Sequence, residues 1–240
     1  MNQQVEGHKH HISRQYNAEL EDVKNRMLEM GGFIEKQFND ALDSLMRADS
    51  AMAQRVRHDD DEINAMEIAI DEECSRILAR RQPAASDLRL VLAIIKTIRD
   101  LERIGDESSK IAKMAIKLSE EGESPKGYME IRHIGERVGR MIHGILDAFA
   151  RYDIEAAWSV AQEDAKVDLD YRSAMRETAT YMMEDPRSIT RVLNIMWALR
   201  ALERIGDHVK NISEHVIYVV KGTDIRQQGV DRTLEDLEEN

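Results

Sequence analysis

Leu101-Glu102-Arg103-Ile104-Gly105-Asp106 returns as Leu202-Glu203-Arg204-Ile205-Gly206-Asp207, and nothing else in the 240-residue chain constrains its fold so strongly. The agreement continues at one register. Val91 and Leu92 fall on Val192 and Leu193, Ile94 on Ile195, Arg99 on Arg200, and Ile111 on Ile212. Chance identity over six residues is negligible in a chain this short, so one structural unit is written twice. Internal repetition fixes the architecture before any local pattern does.

Each copy lies in a run with helical spacing. At ~100° per residue, Val91, Ile94, Ile98, Leu101, Gly105, Ser108 and Ala112 share one arc, while Arg89, Lys96 and Arg103 point the other way. Glu102 and Asp106 fall at the flank of the apolar arc. Two carboxylates four residues apart project from one side of a helix with Cβ atoms ~6 Å apart. Gly105 costs roughly 1 kcal/mol against Ala in a helix interior. Its recurrence as Gly206 predicts a helix or ligand close to the backbone there. The plain alternative is a wet face on which the two acids pair with Arg99, Arg103 or Lys110.

Composition narrows the class. Aromatics make up 5% of the chain and charged residues 33%, with 3 prolines and 12 glycines, which favours an extended all-helical protein. A net charge of −12 leaves nothing to neutralise a phosphate backbone, so no nucleic-acid partner is expected. Cys74 stands alone, so no intrachain disulfide forms, as suits a reducing cytosol. No apolar run approaches the ~18 residues of a membrane span, and no signal-peptide core opens the chain. These features predict a soluble, cytoplasmic protein.

Apolar periodicity predicts six helices, at about 12–48, 51–81, 87–121, 127–151, 154–183 and 189–221. Pro83 and Pro186 stand before the two motif helices, and Pro125 lies near the midpoint. Ser50, then Ser86 or Asp87, and Asp153 are candidate N-caps, and Gly222 stops the sixth helix. The expected architecture is two tandem, pseudo-symmetric, antiparallel three-helix bundles. The first repeat occupies residues 1–123, the second 124–222, and a loose, acidic tail 223–240.

The second helix of each half adds oxygen ligands. Asp60, Asn64, Glu67 and Asp71 form a stripe beside Ile63, Ile70 and Ile77. In the second half the same register gives Asp164 and Asp168, with Tyr171 and Met175 in the other two places. Asp60, Asn64, Glu102 and Asp106 are expected to converge in one bundle, and Asp164, Asp168, Glu203 and Asp207 in the other. Oxygen-only cages suit Mg²⁺, Mn²⁺ or iron and poorly suit structural zinc. A ferritin-like centre would need two Glu-x-x-His pairs; only Glu130-Ile131-Arg132-His133 fits, without a partner. Phosphate-loop, nucleophile-elbow and CxxC patterns are absent, so no catalytic residue is assigned.

Arg89, Lys96, Arg103 and Lys110 recur every seven residues, whereas the second motif helix has Thr190, Trp197, Arg204 and Asn211 there. This basic stripe on the first bundle's outer face is either solvated or a docking surface for an acidic partner, through Arg89, Lys96 and Arg103. Trp158 and Trp197 are expected to point away from the bundle cores, as an interface would require.

The paired Leu-Glu-Arg-Ile-Gly-Asp motif, the Ser-Asp-Leu-Arg-Leu opening at Ser86–Leu90 and the Tyr-Met-Met-Glu-Asp at Tyr181–Asp185 closely resemble the PhoU family. The resemblance runs from His11 to Gly222. It implies a cytoplasmic adaptor, often dimeric and without established catalysis. Such a protein connects the ATPase subunit of a phosphate transporter to a phosphate sensor histidine kinase. It restrains uptake and the phosphate-starvation response, and it meets the membrane only through the transporter. Some members bind metal through ExxxD or DxxxD motifs, which correspond here to Glu102 and Asp106, Glu203 and Asp207, and Asp164 and Asp168. Asn64 after Asp60 departs from that pattern. The rival reading is a metal-dependent enzyme, a hydrolase or oxidase, built on the carboxylate cages.

Overall fold

The structure is a computed structural model that describes residues 2–120 and 129–223, and side chains from residue 14 onward. The expected junction at 121–125 falls outside the described residues, as does the tail beyond 223. Six α-helices account for the fold, and no strand occurs among the described residues. They are α1 (Asn2–Arg47), α2 (Ser50–Arg81), α3 (Ala85–Glu120), α4 (Met129–Arg151), α5 (Ile154–Glu184) and α6 (Ile189–Lys221). A single 3₁₀ turn, Pro186–Ser188, leads into α6.

Each half repeats the same joint between its first two helices. Ala48 and Tyr152 both take left-handed backbone conformations, with φ of 53° and 56°. An aspartate follows in each half and caps the next helix. Asp49 accepts from the Met52 amide at 2.9 Å, and Asp153 from the Ala156 amide at 3.0 Å. Asp49 therefore caps α2, and Ser50, the expected cap, is its first helical residue. Ser86 and Asp87 lie inside the first turn of α3, which begins at Ala85. Gly222 ends α6 as expected, with φ 76° and its amide bonded to the Tyr218 carbonyl at 2.9 Å.

The core runs through both halves without a break. Met27, Met30, Ile34 and Phe38 from α1 belong to the same buried cluster as Ile98, Leu101, Ile142, Phe149, Leu202 and Ile205. Each such side chain contributes ~1.5–3 kcal/mol on burial. Continuity arises because α3 and α6 make the most extensive helix pair in the molecule. Besides the arc facing its own bundle, α3 buries Ala93, Thr97, Ile104, Glu107 and Ile111. A second contact joins α1 to α4, where Gly135 admits Leu42; a Cβ there would stand 2.7 Å from the leucine.

The two tryptophans part company. Trp197 is exposed at 64%, as its register predicts, but Trp158 is buried at 7% and belongs to the core cluster. A helical wheel of one bundle places Trp158 outside; near the α4–α5 joint, α5 buries Ala157, Trp158 and Ala161 together.

Candidate functional site

In the first bundle, the motif carboxylates of α3 meet the acidic stripe of α2. Burial raises the affinity of Glu102 for its proton, and Asp106, Glu67 and Asp60 add to that effect by repulsion. Glu67 is raised by burial and by Asp71 and Asp106, while Arg99 and Arg103 oppose the shift. Arg103 bridges the motif pair, 3.3 Å from Glu102 Oε2 and 3.1 Å from Asp106 Oδ2. Asp60 instead accepts a hydrogen bond from the Gln37 amide at 3.3 Å. Asn64 is half-buried one turn further along α2, with no hydrogen bond to the group.

The second bundle repeats the arrangement with a different counter-charge. Glu203 is raised by burial and then by Asp207, Asp168 and Asp164. Asp207 is raised by burial, Asp164 and Asp168, against Lys210 and His208. Lys210 Nζ lies 2.9 Å from Asp164 Oδ2, Arg200 2.7 Å from Glu203 Oε1, and Arg172 3.3 Å from Asp168 Oδ2. The close approaches expected at the two motif glycines are present and equivalent. A Cβ on Gly105 would stand 3.2 Å from Gln37 Oε1, and one on Gly206 3.2 Å from Asp164 Oδ1. Each glycine therefore lets a polar oxygen reach the backbone between the two motif acids.

Seven of these residues, all but Asn64, fall into the two expected groups and act on one another electrostatically. Among the described residues, no three Asp, Glu, His or Cys side chains are drawn to a common ligand point. Like charges turn apart toward nearby cations, here Arg103, Arg172, Arg200 and Lys210. The donor sets nonetheless suit a hard cation: they offer oxygen ligands, and in the first set the acids are half-buried with Arg103 as their ion-pair partner. Two buried oxygens, Gln37 Oε1 and Glu203 Oε2, also have no hydrogen-bond partner.

The basic stripe is only in part the outer face expected of it: Arg103 and Lys110 are exposed, while Arg89 and Lys96 pack against α6. Arg89 is half-buried, with its guanidinium against Gly222 at the C-terminus of α6. Lys96 sits over the Tyr218 ring at 5.3 Å, and Lys110 bonds Glu107 at 2.9 Å. Arg103 belongs to the first cage. At Arg89 and Lys96, the face that looks outward from one bundle is the face that receives α6.

That seam holds a polar cluster which repeat analysis missed. Asp100 of α3 lies 2.9 Å from His208 Nδ1, 3.1 Å from Asn211 Nδ2 and 3.0 Å from His215 Nε2, all on α6. Burial alone would raise the Asp100 carboxyl; the bonds from His208, His215 and Asn211 outweigh it and hold it down to about 2. A carboxylate only accepts, so both facing ring nitrogens carry hydrogen. Nearby, Glu107 is buried at 3% exposure and paired with Arg204 at 2.9 Å as well as Lys110. The available signal was one of spacing: His208, Asn211 and His215 share one side of α6.

Comparison with known proteins agrees with this architecture. The PhoU domain model matches twice, at residues 27–115 and 131–216, so each match takes in one copy of the motif. The phosphate-specific transport system accessory protein PhoU homolog of Pseudomonas aeruginosa is 64% identical over 231 residues, 96% of either chain. The Escherichia coli accessory protein PhoU is 47% identical over 221 residues, covering 92% of this chain and 91% of the relative. The crystal structure of PhoU from P. aeruginosa superposes with a TM-score of 0.85 at 65% identity, over 87% of this chain and all 100% of that one. The phosphate transport system regulatory protein PhoU of Streptococcus pneumoniae, at 30% identity, gives 0.80 over 87% of this chain and 98% of its own. With both repeats matched and near-complete relatives at this identity, the chain belongs to the PhoU family.

Proposed function

We propose that this chain is the regulatory accessory protein of a phosphate-specific transport system, an adaptor with no catalysis of its own. It ties the transporter's ATPase subunit to a phosphate-responsive sensor histidine kinase. Through them it restrains phosphate uptake and the starvation response when phosphate is plentiful. The observation that carries this reading is the pair of matched repeats, each with its motif intact, in a chain 64% identical over nearly its full length to a phosphate-transport accessory protein. Among the described residues no helix is long and apolar enough to cross a membrane. In this reading the protein works in the cytoplasm as a homodimer, and membrane contact is indirect.

Divalent metal, Mg²⁺, Mn²⁺ or iron, belongs to the same proposal. Asp60, Asn64, Glu102 and Asp106 would hold it in the first bundle, and Asp164, Asp168, Glu203 and Asp207 form the counterpart. A metal-dependent hydrolase or oxidase would need an open coordination position facing an enclosed pocket. Neither the ~960 Å³ groove between α1 and α4 nor the ~90 Å³ cleft beside Arg137 is lined by any of these eight residues. The adaptor reading is tested by pull-down of the full chain against the ATPase subunit and the kinase, with Mn²⁺ or with chelator. Capture of both partners is expected, and capture of neither would overturn it.

A further inference from the structure

The two cages occupy matching positions but are not electrically alike: the first has three acids and Asn64, the second four acids. In the second, Lys210 reaches across from α6 to the buried Asp164, which is 4% exposed. Lys210 also feels Glu214 and Asp207. Its counterpart in the repeat register is Ser109, a hydroxyl whose buried oxygen has no hydrogen-bond partner. The counterpart acid in the first cage, Asp60, is met by a neutral group instead, the Gln37 amide at 3.3 Å. Gln37 is 3% exposed, and its carbonyl oxygen is left unpaired beside Gly105, between Glu102 and Asp106. That oxygen is a ready fifth donor in the first cage. The second cage has no neutral amide in that place, because the α4 residue in the matching register is Met141; its unpaired buried oxygen is Oε2 of Glu203, one of its own acids.

Cation pairing follows the same division. Among the described residues, ion pairs join Lys210, Arg200 and Arg172 to the acids of the second cage, and Arg103 to those of the first. Arg99 acts on Glu67 from further away. A carboxylate cage gains from a cation whether the charge arrives from solution or on a tether. A tethered ammonium carries no translational cost of binding.

We propose that Lys210 is the built-in cation of the second cage, so that exchangeable divalent metal is taken up by the first cage, at Asp60, Glu102, Asp106 and Gln37. The proposal rests on the metal-binding part of the reading above and gives it a direction. One bundle responds to metal, and the other is held in the cation-filled arrangement permanently. A regulator with one responsive and one constitutive half can report cation supply through the first bundle while keeping the second fixed.

Mn²⁺ binding to the full chain, followed by calorimetric titration and by the electron paramagnetic resonance of free Mn²⁺, tests this. Glu102→Gln with Asp106→Asn should remove the tight Mn²⁺ uptake of the wild type. Glu203→Gln with Asp207→Asn should leave it within about twofold. Lys210→Ser, which copies Ser109, should add a second Mn²⁺ equivalent per chain, and Lys210→Arg should not. In chelator, Lys210→Ser should melt below wild type and recover on adding Mn²⁺. Equal loss of binding in the two double variants would overturn the proposal even if Lys210→Ser failed to fold. So would a folded Lys210→Ser chain with unchanged stoichiometry, or a wild type that binds no Mn²⁺. The pull-down judges the adaptor reading separately, since partner capture in chelator supports that reading whatever the cages bind.

Discussion

Replacing Asp100 with Asn tests the seam between α3 and α6 with the smallest change in shape. The carboxyl is held at about 2 against an ordinary 3.8. At 1.36 kcal/mol per pKa unit, that difference is worth about 2 kcal/mol of folding stability at neutral pH. The sign follows from the depression: the contribution is fully present above the unfolded value near 4 and is lost as pH falls through the folded value near 2. About half of it is gone by pH 3. Asp100→Asn should therefore lower stability by about 2 kcal/mol at pH 7, or ~4–8 °C in melting temperature for a chain of this size. Asp100→Ala, which strands the three facing donors, should cost ~3–5 kcal/mol. Urea unfolding of wild type and Asp100→Asn at pH 7, 5 and 3 gives the comparison, with the gap constant from pH 7 to 5 and about halved at pH 3. A gap below about 0.5 kcal/mol at pH 7, or one that stays constant down to pH 3, would refute the argument.

Arg89→Glu combined with Lys96→Glu should lower thermal stability by ~1–2 kcal/mol, through a repelled α6 C-terminus and a lost cation–aromatic contact. Loss of partner binding without that drop in melting would restore the docking-surface interpretation. Trp158→Ala should cost ~3–5 kcal/mol, whereas Trp197→Ala should stay within about 0.5 kcal/mol, both read from denaturation midpoints. Saturating Mn²⁺ should raise the wild-type melting temperature, and chelator should reverse the rise, because the ion binds only the folded cage. No shift with either addition would return Glu102 and Asp106 to the role of solvated acids.

The helices were legible because two signals agreed: the apolar period, and an aspartate or proline at each boundary. The repeated joint at Asp49 and Asp153 shows how local that information is, since each cap is made by neighbours in sequence. That the acids of α2 lie within electrostatic reach of those of α3, and the acids of α5 of those of α6, was legible for the same reason, being a matter of register along the helices. What single-bundle analysis could not see was that α3 and α6 each have two buried faces. Register within one bundle puts Arg89 and Lys96 in solvent and gives Asp100, His208 and His215 no partner, because the neighbours that matter belong to the other half of the chain. Gln37 escaped notice too: it comes from α1, and only three-dimensional packing brings its amide to Asp60.

The seam also bears on how a duplicated chain keeps its two copies in their roles. In the repeat register, His208, Asn211 and His215 correspond to Glu107, Lys110 and Met114, and Asp100 corresponds to Ala201. Two first repeats facing each other in this manner would set Asp100 against Glu107 and Met114, with Lys110 as the one donor left to it. Two second repeats would leave His208 and His215 opposite an alanine. Only the mixed pairing satisfies both sides. Divergence at these few positions therefore makes the seam complementary rather than self-complementary: one repeat supplies the acceptor and the other its three donors.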